Sequence, residues 1–187
     1  MSFAARLGAW LIVLLPLAAG LAPVKINAVI ERGVNDDEIV DLARFGRDRG
    51  VEVRFIEFMP LDATGHWMND KVVGQDEIVA AIDAVYPLEV VPARGAAPAN
   101  TWRYLDGAGT VGVIPSVTKP FCGDCDRVRL TADGQFRTCL FATTEFAAEA
   151  ARLRDMHPSD VAATIRALDR KSTRLNSSHV SESRMPS

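Results

Sequence analysis

Cysteine is scarce in this chain, and positive charge is not in excess. Three cysteines among 187 residues cannot all pair with one another, so a disulfide framework of the secreted type is excluded. The 21 lysines and arginines are outnumbered by 24 aspartates and glutamates, which gives a formal net charge of −3. This balance argues against a general nucleic-acid or membrane-surface binder, and we expect neither partner. Any anion site must therefore be built from a few local cations.

The chain also lacks an apolar run long enough to predict a membrane span, and both ends look foreign to a globular domain. Residues 1–17 carry one arginine before the short apolar run AWLIVLL, which is typical of a signal peptide. A signal peptide conflicts with the thiolate metal site that the three cysteines predict (next paragraph), because such a site belongs in the cytoplasm. We therefore interpret residues 1–17 as spurious and expect a cytoplasmic protein. Residues 169–187 are polar and serine-rich, which predicts a disordered tail. The part KSTRLNSSHVSESRMPS is similar to translated adapter sequence, and a natural flexible tail is the alternative.

All three cysteines lie in one short stretch, FCGDCDRVRLTADGQFRTCL. Cys122 and Cys125 form a CxxC pair, and residues 127–140 predict two short strands joined by a turn at Ala132–Gly134. Such a hairpin would return Cys139 to the CxxC turn, so that three thiolates converge. Three sulfur ligands suit either an incomplete zinc site or an iron–sulfur cluster with one open iron. Three incidental cysteines are the alternative, but chance seldom gathers every cysteine of a chain into one hairpin.

The part of the chain before this stretch predicts alternating strands and helices. Val24–Ile30 and Val51–Phe58 alternate as strands do, and between them Asn35 is predicted to cap a helix that ends at Gly50. A strand, a helix and a second strand of these lengths predict a βαβ unit, hence a parallel sheet with helices outside. A second amphipathic helix is predicted at Gln75–Tyr86, and further short strands follow it.

Polar side chains occupy one face of the two predicted strands. Lys25, Asn27 and Arg54 fall on the face opposite the apolar positions, where a purely structural barrel would place branched apolar residues. We expect them near the carboxyl ends of the strands, as a ligand site requires. The alternative is an open-sheet edge with a solvated face.

Together these residues resemble the GTP 3′,8-cyclase family of molybdenum cofactor biosynthesis, whose members are radical S-adenosylmethionine enzymes. The resemblance covers roughly Ala18–Leu168 and corresponds to the C-terminal half of that family. It rests on the blocks AGLAPVKINAVIERGVNDDEI, VRFIEFMPL and FCGDCDRVRLTADGQFRTCLF, which occur in the family's order. A bare CxxC would be weak support, whereas CxxCxRxRLTxDGxxRxCL is specific.

The resemblance implies an α/β fold in two parts. Residues 18–116 would form the C-terminal part of an incomplete (β/α) radical S-adenosylmethionine barrel. Residues 117–168 would form a β-hairpin-rich iron–sulfur region with C-terminal helices. The implied reaction is the lyase-class conversion of GTP to (8S)-3′,8-cyclo-7,8-dihydroguanosine 5′-triphosphate, and the complete family enzyme would be a homodimer.

The resemblance also implies the ligands of each group. Cys122, Cys125 and Cys139 would hold a [4Fe–4S] cluster whose open iron binds the guanine of GTP. The positions that match GTP-contacting residues of the family are Lys25, Arg54, Arg127 and Arg129. The positions that match residues at the S-adenosylmethionine site are Met59 and Asn27.

One motif of the family has no counterpart in this sequence. The radical-generating cluster of the family is held by CxxxCxxC, and this chain contains no such spacing. We therefore expect a fragment that is inactive by itself. The alternative function is a non-catalytic zinc or iron–sulfur binding module.

Overall fold

The computed structural model describes residues 15–59, 67–92, 95, 97–120, 127, 129–132, 136–137, 157, 159–161 and 163. The chain divides into two compact units, Met1–Pro120 and Phe121–Ser187. The first unit contains a mixed α/β fold built on a five-stranded sheet. Its strands are β1 Lys25–Ile30, β2 Glu52–Glu57, β3 Leu88–Val91, β4 Asn100–Tyr104 and β5 Thr110–Ile114.

The order of the strands in this sheet is β1-β2-β5-β4-β3. Strands β1, β2 and β5 are parallel, which confirms the predicted βαβ unit. Strands β3 and β4 are antiparallel to their neighbours, so the expectation of a parallel sheet holds for only part of it. The physical reason is the short connections on either side of β4, because a parallel crossover needs a dozen residues or more.

The first helix, α1, covers the sheet between β1 and β2. It spans Ile39–Arg49 and follows a 3₁₀ turn at Asp36–Glu38, and it ends at Gly50 with φ 64° as predicted. The prediction that Asn35 caps this helix is wrong, because its side chain makes no cap hydrogen bond. Instead its Oδ1 accepts the Glu31 amide at 2.9 Å and its Nδ2 donates to the Val29 carbonyl at 2.9 Å. Asn35 therefore ties the loop back to the end of β1.

The second helix, α2, spans Gln75–Asp83, three residues shorter than predicted. Its end precedes Tyr86 and Pro87, and the ring of a proline disfavours helical backbone in the residue before it. Asp83 also accepts the Leu88 amide at 2.7 Å, which starts the next strand. The N-cap residue is Gly74, which has no side chain to cap the helix.

The core of the first unit lies between the helices and one face of the sheet. Gly46 lets α1 approach closely, because a Cβ there would lie 2.7 Å from the Val51 carbonyl oxygen. The buried cluster consists of Ile30, Ile39, Ala43, Val53, Phe55, Val73, Ile78, Ile82, Trp102, Tyr104, Val111 and Val113.

The described part of the second unit contains a short antiparallel pair. Strand β6 is Arg129–Leu130 and β7 is Phe136–Arg137, with Arg129 opposite Arg137, which confirms the predicted hairpin. Residues 159–161 are helical at the start of the predicted helix Ser159–Leu168. The predicted helix Glu145–Arg154 and the predicted tail lie outside the described residues, as does most of the segment 1–17.

Within the described ranges, no helix combines the length and the apolar character that a membrane crossing requires.

Candidate functional site

One face of the sheet carries the polar residues that the sequence singled out. Asn27 of β1 lies opposite Arg54 of β2 in the parallel register, and Lys25 lies opposite Glu52. Their neighbours Val53 and Phe55 point to the helices and are buried. Because side chains alternate along a strand, these polar residues lie on the face away from α1 and α2. We call this the open face.

Glu52 connects the two cations of the open face. Its Oε1 lies 3.3 Å from the Lys25 ammonium and accepts a 2.6 Å hydrogen bond from Arg54 Nε. Its Oε2 accepts a hydrogen bond from the Thr110 hydroxyl at 2.9 Å. Two cations thus share one carboxylate, and the group keeps a net positive charge.

The ionised form of Glu52 is favoured in this setting. Partial burial by itself would raise the pKa of the carboxyl, because it disfavours the charged form. Hydrogen bonds from Arg54 and Thr110 and the nearby positive charges outweigh that effect. The pKa of Glu52 therefore lies below its ordinary value of 4.5.

A glycine provides the space for Arg54. Gly112 of β5 lies opposite Arg54 in the register, and a Cβ at this position would lie 3.1 Å from Arg54 Cγ. With a Cβ at this position, the arginine stem would have to shift by a few tenths of an ångström. The sequence showed a glycine inside a strand, and the structure gives its reason.

The structure brings together Lys25, Asn27 and Arg54, but it does not bring Met59 to them. Lys25 is the first residue of β1, and Asn27 and Arg54 are each the third of six residues in their strands, so the expectation that they lie near the carboxyl ends is wrong. Met59 is partly buried and lies two residues beyond the last residue of β2. Met59 therefore lies at a different level along the strands from Lys25, Asn27 and Arg54.

A cavity of about 480 Å³ opens at the amino ends of the parallel strands, and Glu52 and Arg47 line it. The Arg47 guanidinium stacks 4.2 Å from the centre of the Tyr86 ring and 4.4 Å from that of Tyr104, and it pairs with Asp106. Burial raises the pKa of Tyr104 to about 12. Since these charged groups already have partners, we assign no ligand to this cavity.

In the second unit, Arg129 has a buried atom without a partner. Its Nη1 makes no hydrogen bond within the part of the chain that the structure describes. Arg127 lies two residues before Arg129, outside β6, and is also partly buried. A buried guanidinium nitrogen left unpaired costs free energy, so the site fits an anionic ligand.

The three cysteines lie outside the described residues, and their donor chemistry can be tested only by spacing. Strand β6 begins four residues after Cys125 and β7 ends two residues before Cys139, a sequence spacing that suits three converging thiolates. Elsewhere, among the described residues, no three His, Cys, Asp or Glu side chains are grouped to hold a metal ion.

The sequence reasoning missed Glu57. It lies on the helix-covered face of β2, is 0% exposed, and accepts hydrogen bonds from Gln75, Val117 and Thr118. The signal was present in the alternation, because Glu57 follows Val53 and Phe55 at a spacing of two. An acid on the apolar face of a strand predicts a buried, hydrogen-bonded carboxylate.

Comparison with known proteins gives consistent matches. The profile of the family described as Molybdenum Cofactor Synthesis C matches residues 51–177. A GTP 3′,8-cyclase of Synechococcus sp. (strain WH7803) is 48% identical over 128 residues, which is 68% of this chain and 36% of the relative. A GTP 3′,8-cyclase of Streptomyces coelicolor is 47% identical over 146 residues, 77% of this chain and 43% of the relative. The chain thus spans less than half the length of these relatives.

Proposed function

Because the chain belongs to the Molybdenum Cofactor Synthesis C family, we propose that it forms the GTP-binding part of a GTP 3′,8-cyclase. The three parallel strands β1, β2 and β5 would be the last strands of the barrel. The proposal is carried by the buried Nη1 of Arg129, which has no partner among the described residues: such an atom needs a hydrogen-bond acceptor, and a phosphate oxygen would supply one.

In the second unit, Arg127 and Arg129 are proposed to bind the phosphates of GTP. A planar guanidinium can donate two parallel hydrogen bonds to one phosphate, which a lysine cannot. The proposed [4Fe–4S] cluster would be held by Cys122, Cys125 and Cys139, and its open iron would supply a Lewis-acid position for the guanine. Three thiolates leave the fourth iron without a protein ligand, which suits that role.

In the first unit, Lys25 and Arg54 are proposed to bind phosphate oxygens from the open face. Their charge exceeds that of Glu52 by one, and their side chains are 33% and 24% exposed, so an anion can reach them. Asn27 and Met59 are proposed as residues of the S-adenosylmethionine site. Asn27 is exposed beside Arg54, and Met59 is partly buried past the end of β2.

The test is anaerobic reconstitution of the full chain with iron and sulfide, followed by calorimetric titration with GTP. We expect about four irons per chain, a reduced-state paramagnetic signal, and GTP binding that weakens about tenfold in Arg129→Gln or Arg54→Gln. The matched control is Arg103→Gln, an exposed arginine of the same sheet that pairs with Glu89. It should bind GTP within about twofold of the unchanged chain.

Stoichiometric zinc without iron would contradict the proposal and favour the structural metal module instead. Unchanged GTP affinity in both arginine variants would contradict the assigned contacts. The sequence holds no CxxxCxxC motif, so we also propose that this chain alone forms no 5′-deoxyadenosine from S-adenosylmethionine. Chromatography after incubation with dithionite measures that product.

A further inference from the structure

Glu57 is a charged group buried among uncharged donors. Its Oε1 accepts the Gln75 amide at 2.8 Å and the Thr118 hydroxyl at 2.5 Å. Its Oε2 accepts the Val117 and Thr118 amides, each at 2.7 Å. Four donors thus fill the acceptor positions of one carboxylate, and each bond to an ionised acceptor is stronger than a neutral one.

One of these donors belongs to the start of α2. The N-cap residue, Gly74, makes no side-chain cap, so the amide of Gln75 would lack a partner without Glu57. A carboxylate at this place also interacts favourably with the positive end of the helix dipole. Glu57 therefore caps α2 from a different strand.

The other three donors belong to the turn that follows β5. Val117 and Thr118 donate consecutive backbone amides, and Thr118 adds its hydroxyl, so both the backbone and the side chain of this turn are fixed. The turn packs tightly on the helix start, since a Cβ at Gly74 would lie 3.2 Å from Thr118 Cγ2. Two residues after this turn the first unit ends at Pro120, and Cys122 follows.

We propose that Glu57 is a positioning residue for the cysteine motif, because its carboxylate fixes Val117 and Thr118, which precede Cys122 by five and four residues in the sequence. No apolar residue could replace it, since four donors would then lose their acceptor, and the buried Gln75 amide would have none. A glutamine could not replace it fully, because its NH₂ group would face donors. The link to the cluster rests on the proposed function, whereas the link to the turn stands on the hydrogen bonds alone.

The first measurement is backbone amide exchange of the full chain without metal. In Glu57→Gln we expect the amides of Val117 and Thr118 to exchange about tenfold faster or more, because each loses a bond to a charged acceptor. Thr118→Val removes only the hydroxyl and keeps the shape of the side chain. The amide exchange rate at position 118 should therefore rise by a smaller factor than in Glu57→Gln. The control is Glu77→Gln in the first turn of α2, where an exposed carboxylate pairs with Arg32.

The exchange result overturns the inference in either of two cases. The first is an unchanged rate at residues 117 and 118 in Glu57→Gln. The second is an equal rise in the exchange rates of the core amides of β2 and β5, which would mean general destabilisation of the fold. If Glu57→Gln does not fold, Thr118→Val carries the test, and no change at the turn then overturns the inference.

The second measurement is the paramagnetic spectrum and iron content of the reconstituted chain. We expect Glu57→Gln and Thr118→Val to change the spectrum and to lower the iron bound, and Glu77→Gln to leave both unchanged. If Glu57→Gln and Thr118→Val both bind as much iron as the unchanged chain and give the same spectrum, the inference is overturned and the proposed function is left intact. Absence of iron in the unchanged chain would contradict the proposed function, while amide exchange would still decide the role of Glu57.

Discussion

Glu52 and Glu57 lie at the two ends of β2 and on opposite faces of the sheet. Glu52 is held by the movable side chains of Lys25 and Arg54. Glu57 is held by backbone amides and one hydroxyl, and no solvent reaches it. The same residue type on one strand is thus stabilised in two different ways.

The difference separates a carboxylate whose hydrogen-bond partners are fixed by the backbone from one whose partners can move to another anion. Backbone donors cannot leave Glu57 without unfolding the helix start or the turn, so its contacts belong to the folded chain. The cations at Glu52 sit on long, partly exposed side chains, and such cations can turn to another anion at small cost. Ligand chemistry is therefore expected on the open face and fold stability on the covered one.

The largest expected effect is on the covered face. Phe55→Ala should lower the free energy of unfolding by about 3–5 kcal/mol, because Phe55 is fully buried and a cavity would remain. Val29→Ala is the matched change on the open face, where Val29 is 49% exposed, and it should cost less than about 1 kcal/mol. Denaturant unfolding followed by circular dichroism measures both. Equal losses in the free energy of unfolding for Phe55→Ala and Val29→Ala would contradict the distinction between the two faces.

The next effect compares two glycines. In Gly46→Ala the new Cβ would meet the Val51 carbonyl oxygen at 2.7 Å, and backbone cannot move away cheaply, so we expect a loss of about 1–3 kcal/mol. In Gly112→Ala the nearest atom is Arg54 Cγ at 3.1 Å, on a side chain that can shift. For Gly112→Ala we expect a loss of less than about 1 kcal/mol in the free energy of unfolding, together with weaker GTP binding. Unfolding and titration on both variants separate these outcomes, and a larger stability loss in Gly112→Ala would contradict them.

The smallest effect concerns pH. The pKa of Glu52 is lowered in the folded chain, so the unfolded chain takes up the proton first as pH falls. Its stabilisation is therefore present above pH 4.5 and is lost as pH falls through the folded pKa. Glu52→Gln should cost about 1 kcal/mol at pH 7 and progressively less in acid.

Urea unfolding at several pH values between 7 and 3 measures the difference between the two proteins. Other carboxyls with lowered pKa values are present in both proteins, so they cancel in that difference. They are Asp76, Glu77 and Asp106. A difference that stays constant down to pH 3 would contradict the ion-pair account of Glu52.

Much of the local structure could be predicted from the sequence, because it depends on periodicity. Strands β1 and β2 begin and end within one residue of their predicted bounds, helix α1 ends where predicted, and the β6–β7 pair lies inside the predicted hairpin. The alternation also placed Lys25, Asn27 and Arg54 on one face. The cysteine motif indicated the family, which the profile match confirms.

The alternation in VEVRFIEF thus determined by itself which residues of β2 face the core and which face away, since a side chain's direction follows from its place in the strand. It did not determine what those residues touch. The partners of Glu52 and Glu57 lie up to 61 residues away along the chain, and β4 reverses direction against β5. Such pairings depend on how the whole chain packs, so only the tertiary structure decided that one acid of β2 joins two cations and the other fixes a turn.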